Sequence, residues 1–129
     1  MATREIKFRA WDKKRKIILD VGRIEWTKRL SIDEVWCAGD MGSLLREDAD
    51  LMQYTGLKDM KGKEIYEGDI VKSNLCSSIG VIGWDNEVGS WFYLWQDGIK
   101  TYPRENYDVL DEEVIGNIYE NPEIMERAK

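Results

Sequence analysis

The feature that most constrains the fold is a pair of apolar runs about one polar turn. Ile79-Gly80-Val81-Ile82-Gly83-Trp84 runs out, Asp85-Asn86-Glu87-Val88-Gly89 turns, and Ser90-Trp91-Phe92-Tyr93-Leu94-Trp95 runs back. Short runs rich in β-branched and aromatic residues, bounded by Asp, Asn and Gly, read as the arms of a β-hairpin. Asp97-Gly98 is a hairpin dipeptide that returns the chain into a third extended stretch, Ile99 to Tyr102. Three consecutive short strands form a β-meander.

The same reading extends in both directions. From Glu5 to Trp11 the chain alternates strictly, with Ile6, Phe8 and Ala10 on one face and Lys7, Arg9 and Trp11 on the other, the period of a half-buried strand. Asp12-Lys13-Lys14-Arg15-Lys16 is a charged turn, and Ile17 to Val21 is the returning strand. Gly22 to Asp50 is less patterned: Arg23 to Trp26 and Glu34 to Cys37 are short strands, and Ser31 with Glu34 has the spacing of a helical capping box. Asp59-Met60-Lys61-Gly62 is a turn with glycine where positive φ is wanted, flanked by extended stretches at Leu51 to Tyr54 and Lys63 to Tyr66. Glu67-Gly68-Asp69 is a second corner, followed by the strand Ile70-Val71-Lys72. Asp108-Val109-Leu110 and Glu113 to Tyr119 are the last strands. Asn121-Pro122-Glu123 then opens a short helix, with Asn as cap and Pro at its first position. The expected fold is mainly β in a single domain, residues 1–129. It is a small bent sheet or partly open SH3-like barrel with extra N-terminal strands and a C-terminal helix.

Composition narrows the chemistry. The chain has no His, which excludes a Ser-His-Asp triad, a Cys-His dyad and any His-ligated metal site. Its two cysteines, Cys37 and Cys76, are too few for a structural zinc site and read as buried free thiols. A net charge of −6 disfavours nonspecific coating of nucleic acid, whose affinity comes from Lys and Arg on phosphates. No stretch approaches the ~18 apolar residues of a membrane span, and the first nine residues lack a secretory apolar core, so a cytoplasmic location is expected. No Walker or Rossmann glycine pattern occurs, and Ser77-Ser78-Ile79-Gly80 lacks the context of a serine nucleophile. No catalytic residue, metal ligand or cofactor is assigned, and the chain is expected not to be an enzyme.

The segment from Leu51 to Val71, Leu-Met-Gln-Tyr-Thr-Gly-Leu-Lys-Asp-Met-Lys-Gly-Lys-Glu-Ile-Tyr-Glu-Gly-Asp-Ile-Val, is similar to the signature of the YopX family. Ile6-Lys7-Phe8-Arg9-Ala10-Trp11-Asp12 and Val114-Ile115-Gly116-Asn117-Ile118-Tyr119-Glu120-Asn121-Pro122 resemble that family's two ends. The resemblance implies an SH3-like β fold and an origin in bacteriophages or prophages, hence a bacterial host cytoplasm. It implies no activity.

Three constellations are weighed for function. Alternation puts Trp91, Tyr93 and Trp95 on one face of their strand and Phe92 and Leu94 on the other. Left open, the Trp-Tyr-Trp row would anchor a protein or stack on bases; covered, it would pack beneath the N-terminal strands near Phe8 and Trp26, the commoner use of such a row. Arg9, Lys13, Lys14, Arg15 and Lys16 form the one dense basic spot, which is also what a solvated hairpin tip looks like. Asp59, Glu64, Glu67 and Asp69, and separately Asp111-Glu112-Glu113, offer oxygens for a cation but lie at turns where acids are common. The leading expectation is a non-enzymatic accessory module that binds a host or phage protein, with self-association as a further possibility. The alternative is sequence-tolerant binding of nucleic acid through the aromatic face and the basic tip.

Overall fold

The computed structural model describes residues 5–39, 42–103 and 111–127, and the expected strand at 108–110 lies outside them. The chain divides into two compact units, Met1–Gln53 and Tyr54–Lys129. Among the described residues it is mainly β, all pairings are antiparallel, and no barrel closes.

In the first unit the strands are β1 (Phe8–Asp12), β2 (Ile17–Trp26), β3 (Ile32–Cys37), β4 (Ser43–Leu45) and the first half of β5 (Ala49–Lys58). They lie in the order β4-β3-β2-β1-β5. Period-two alternation buries Ala10, which meets Val35 and Ala49 in a small core ringed by Val21, Ile32, Leu44 and Leu51. The β1–β2 turn is fixed by Asp12, which is buried although it opens the charged run. Its Oδ1 accepts the backbone N–H groups of Lys14 and Arg15, and its Oδ2 accepts Arg15 Nε at 2.5 Å. Burial by itself would raise this carboxyl, but the hydrogen bonds from Arg15 and Lys14 outweigh it and hold it below the usual carboxylate range. The capping-box reading of Ser31 is corrected. Thr27 N–H donates to the Ser31 carbonyl at 2.7 Å, Leu30 sits at φ 63°, and the chain turns directly into β3. A hairpin claims the backbone groups that a helical turn would need.

In the second unit the rest of β5 pairs with β6 (Glu64–Tyr66). β7 (Asp69–Ser73), β8 (Ile79–Asp85), β9 (Ser90–Trp95), β10 (Lys100–Thr101) and β11 (Glu112–Asn117) form a sheet in the order β10-β9-β8-β7-β11, and α1 (Pro122–Arg127) ends the described chain. The core is Ile65, Val71, Ile82, Tyr93 and Val114, with Leu57, Trp91 and Trp95 against it. Gly62 and Gly68 take the positive φ that their corners demand, 83° and 85°. α1 starts at Pro122, directly after Asn121, as expected. The Asn121 Oδ1 faces back over Gly116, where a Cβ would sit 2.6 Å away, and accepts Asn117 N–H at 3.3 Å.

Two glycines let large rings lie flat on this sheet. A Cβ on Gly80 would stand 2.8 Å from the Trp95 ring, and one on Gly83 would stand 2.6 Å from Phe92, each its cross-strand partner. Trp95 has little room to retreat, because it stacks on Tyr93 at 5.6 Å and donates from Nε1 to Thr101 Oγ1 at 2.8 Å. A Gly→Ala change in a strand gains about 0.4–1 kcal/mol from a stiffer unfolded chain. Overpacking a fixed ring costs about 1–3 kcal/mol, so the cost wins. Gly80→Ala is expected to lower the chemical-denaturation midpoint, with a net loss of roughly 1–2 kcal/mol.

Candidate functional site

The aromatic candidates sit on the β8–β9 hairpin, where the register pairs Trp84 with Trp91, Ile82 with Tyr93 and Gly80 with Trp95. Directly opposed residues share a face, so these six positions form one surface. That surface turns inward at its centre. Tyr93 is only 3% exposed, and Trp91 and Trp95 pack on the core of their own unit. The row is therefore covered around Tyr93, and Leu57, Ile65, Val71 and Val114 supply the apolar surroundings. Trp26, expected as a cover, is itself 58% exposed. On the opposite face, Lys100 Nζ lies 4.6 Å from the centre of the Phe92 ring.

Toward the turn the same row comes to the surface. Trp84 is 45% exposed and meets Trp91 edge-on, with centroids 5.0 Å apart at 73°. Val88 in the adjoining turn is 61% exposed. The turn is held by Asp85, whose Oδ1 accepts Glu87 and Val88 N–H and whose Oδ2 accepts the Tyr102 hydroxyl at 2.7 Å. The Tyr102 bond leads in holding the Asp85 carboxyl below its ordinary value. Trp84 was not singled out in the sequence. The signal was there: counting outward from the turn through Asp85 and Ser90 pairs Trp84 with Trp91.

Tyr93 and Glu112 carry the least satisfied polar atoms of this unit. The Tyr93 hydroxyl and Glu112 Oε2 are both buried, and neither has a hydrogen-bond partner among the described residues. Burial, and then the charge of Glu112, raise the Tyr93 hydroxyl far above the ordinary tyrosine range. Burial likewise raises Glu112.

The basic spot is balanced by acids. Lys13 Nζ donates to the Glu47 carbonyl at 3.1 Å and stands 3.8 Å from Asp50; Lys14 Nζ stands 3.9 Å from Asp48; Arg15 pairs with Asp12. Exposed pairs of this kind contribute at most about 1 kcal/mol each, yet they place carboxylates where a phosphate would have to approach. Arg9 belongs to β1 and is half-buried, and Lys16 closes the turn at φ 56°.

The acidic corner is scaffolding. Asp59 Oδ1 accepts Lys61 and Lys63 N–H at 2.9 and 2.8 Å, and Oδ2 accepts Val114 N–H at 3.0 Å, tying the turn to β11. These bonds outweigh burial and keep the carboxyl low. Asp69 Oδ2 accepts Tyr66 N–H at 2.8 Å. Glu113 pairs with Lys61 at 2.8 Å. Among the described residues no three Cys, Asp or Glu side chains gather as they would around a metal ion. Both cysteines are free, but only Cys37 is buried. Cys76 is exposed, against expectation, in the loop after β7. Among the described residues no helix is long and apolar enough to cross a membrane.

These features define a small antiparallel β protein of two units whose buried acids fasten its corners. The chain belongs to the YopX family: the model of the YopX protein family matches residues 7–126. It is also similar to a solved structure, that of protein EF1440 from Enterococcus faecalis. The two are 26% identical with a TM-score of 0.66, over 95% of this chain and 99% of that one. No curated protein matches the chain.

Two predictions separate the buried acids. Asp59→Ala leaves the buried Val114 N–H unpaired, at about 1–3 kcal/mol, and frees the part-buried N–H groups of Lys61 and Lys63, so a lower denaturant midpoint with a stability loss of about 2 kcal/mol is expected. Glu112 behaves oppositely. Its carboxyl is raised in the folded state, so ionising it penalises folding at neutral pH, and the penalty fades as pH falls below its ordinary value of 4.5. Glu112→Gln is expected to raise the melting temperature at pH 7 and to leave it unchanged at pH 4.

Proposed function

We propose that the protein is a non-enzymatic binding module, a phage or prophage accessory protein that engages a host or phage protein through the Trp84–Trp91 end of the β8–β9 hairpin. The observation that carries this reading is the exposed, edge-on Trp84 resting on a Trp91 that is itself anchored in the core. Large rings held on a rigid sheet give contact area at low entropic cost, the character of an interface anchor. Asp85 and Glu87 flank the pair, and the net charge is −6, which favours a partner surface that is neutral or basic there.

The test is affinity capture from bacterial lysate with the tagged protein, with and without nuclease, beside a Trp84→Ala variant. Capture of a stoichiometric protein that resists nuclease and disappears in Trp84→Ala, at an unchanged melting temperature, is expected. Equal capture by Trp84→Ala would overturn the reading, and material released by nuclease would transfer the surface to nucleic acid.

A further inference from the structure

β2 is longer than the strand beside it. On one side β3 pairs with it from Val21 to Trp26, regularly from Arg23 to Glu25 and with register shifts at either end of that stretch. On the other side β1 pairs only with Ile17 to Asp20, through Arg9 to Asp12. Beyond that point the chain at Ile6 to Phe8 stands off from Val21 to Ile24 across an open groove of about 240 Å³. Among the described residues no strand pairs with this side of Val21 to Trp26. An edge of this kind presents N–H and C=O groups as a template for another strand. Trp26 on it is 58% exposed, and Ile6 beside the groove is 64% exposed.

The regular stretch of this edge, Arg23-Ile24-Glu25, is complementary in charge to itself when reversed. We propose that a second copy of the chain docks here, β2 against β2, antiparallel about a two-fold axis at Ile24. Ile24 then faces Ile24 of the second copy on the axis, and Arg23 faces its Glu25, a contact that occurs twice because the interface is isologous. Opposite charges directly across a strand pair are favourable and like charges unfavourable. Charge therefore selects the register: moving the axis to Arg23 or to Glu25 sets like charges face to face. Arg23 is already held in place, its guanidinium 4.6 Å from the centre of the Trp36 ring and 3.2 Å from Glu25 of its own chain.

The interface is small, so the dimer is weak and is sought at high micromolar concentration by sedimentation velocity or light scattering. A concentration-dependent dimer is expected. Arg23→Glu and Glu25→Arg should each weaken it by about tenfold or more, while the double variant carrying both should restore it, since the exchange keeps opposite charges across the axis. Circular dichroism shows that each variant is folded. In a Cys76→Ser background, Ile24→Cys should form a disulfide-linked dimer under mild oxidation. A parent that stays monomeric, a dimer indifferent to either single reversal, a double variant that fails to recover, or an Ile24→Cys chain that does not cross-link would overturn the proposal.

Discussion

The structure depends on side-chain oxygens that take the place of backbone partners at its corners. The described residues include five buried polar or charged ones, Asp12, Asp59, Asp69, Ser73 and Asn117. Each accepts N–H groups of a turn. Asp12 takes those of Lys14 and Arg15, Asp59 those of Lys61, Lys63 and Val114, and Asp69 that of Tyr66. Ser73 takes that of Leu75, and Asn117 those of Tyr119 and Glu120. A buried N–H without a partner costs more than most surface contacts return, so these bonds decide where strands stop and which way they leave. Asp59 reaches furthest, since its bond to Val114 joins residues 55 apart in the chain.

A second constraint is steric. Short strands of this protein carry rings that are large for the sheet beneath them, and glycine opposite the ring makes the space. Gly80 and Gly83 lie on opposite faces of β8, so Trp95 is seated toward the core while Phe92 is seated on the other face, beneath the Lys100 ammonium. Buried polar groups are satisfied almost throughout this sheet; Tyr93 and Glu112 are where that rule lapses.

Much of the fold was legible in the sequence. The β8–β9 hairpin, the glycine corners at Gly62 and Gly68 and the terminal helix follow from alternation and turn chemistry, which are local properties. Local reading failed where a distant group decided the outcome. Ser31 and Glu34 fit a capping box, but Thr27 claimed Ser31 for a hairpin. Asn121 stands before the helix as read, but that its side-chain oxygen lies over Gly116 and accepts Asn117 N–H was not legible. The candidate site was legible in composition and not in exposure. The row Trp91, Tyr93, Trp95 was visible, yet alternation could not tell which end of it dips into a core, and Trp84 became apparent only through cross-strand register.

The corner bonds have a consequence for how such a protein drifts. Their acceptors are side chains, but their donors are backbone N–H groups, which every residue except proline supplies. The residues around each corner can therefore be exchanged freely so long as a few acceptors and glycines stay in place. A chain built this way can rewrite most of its surface, and so change what it meets, without redrawing its frame.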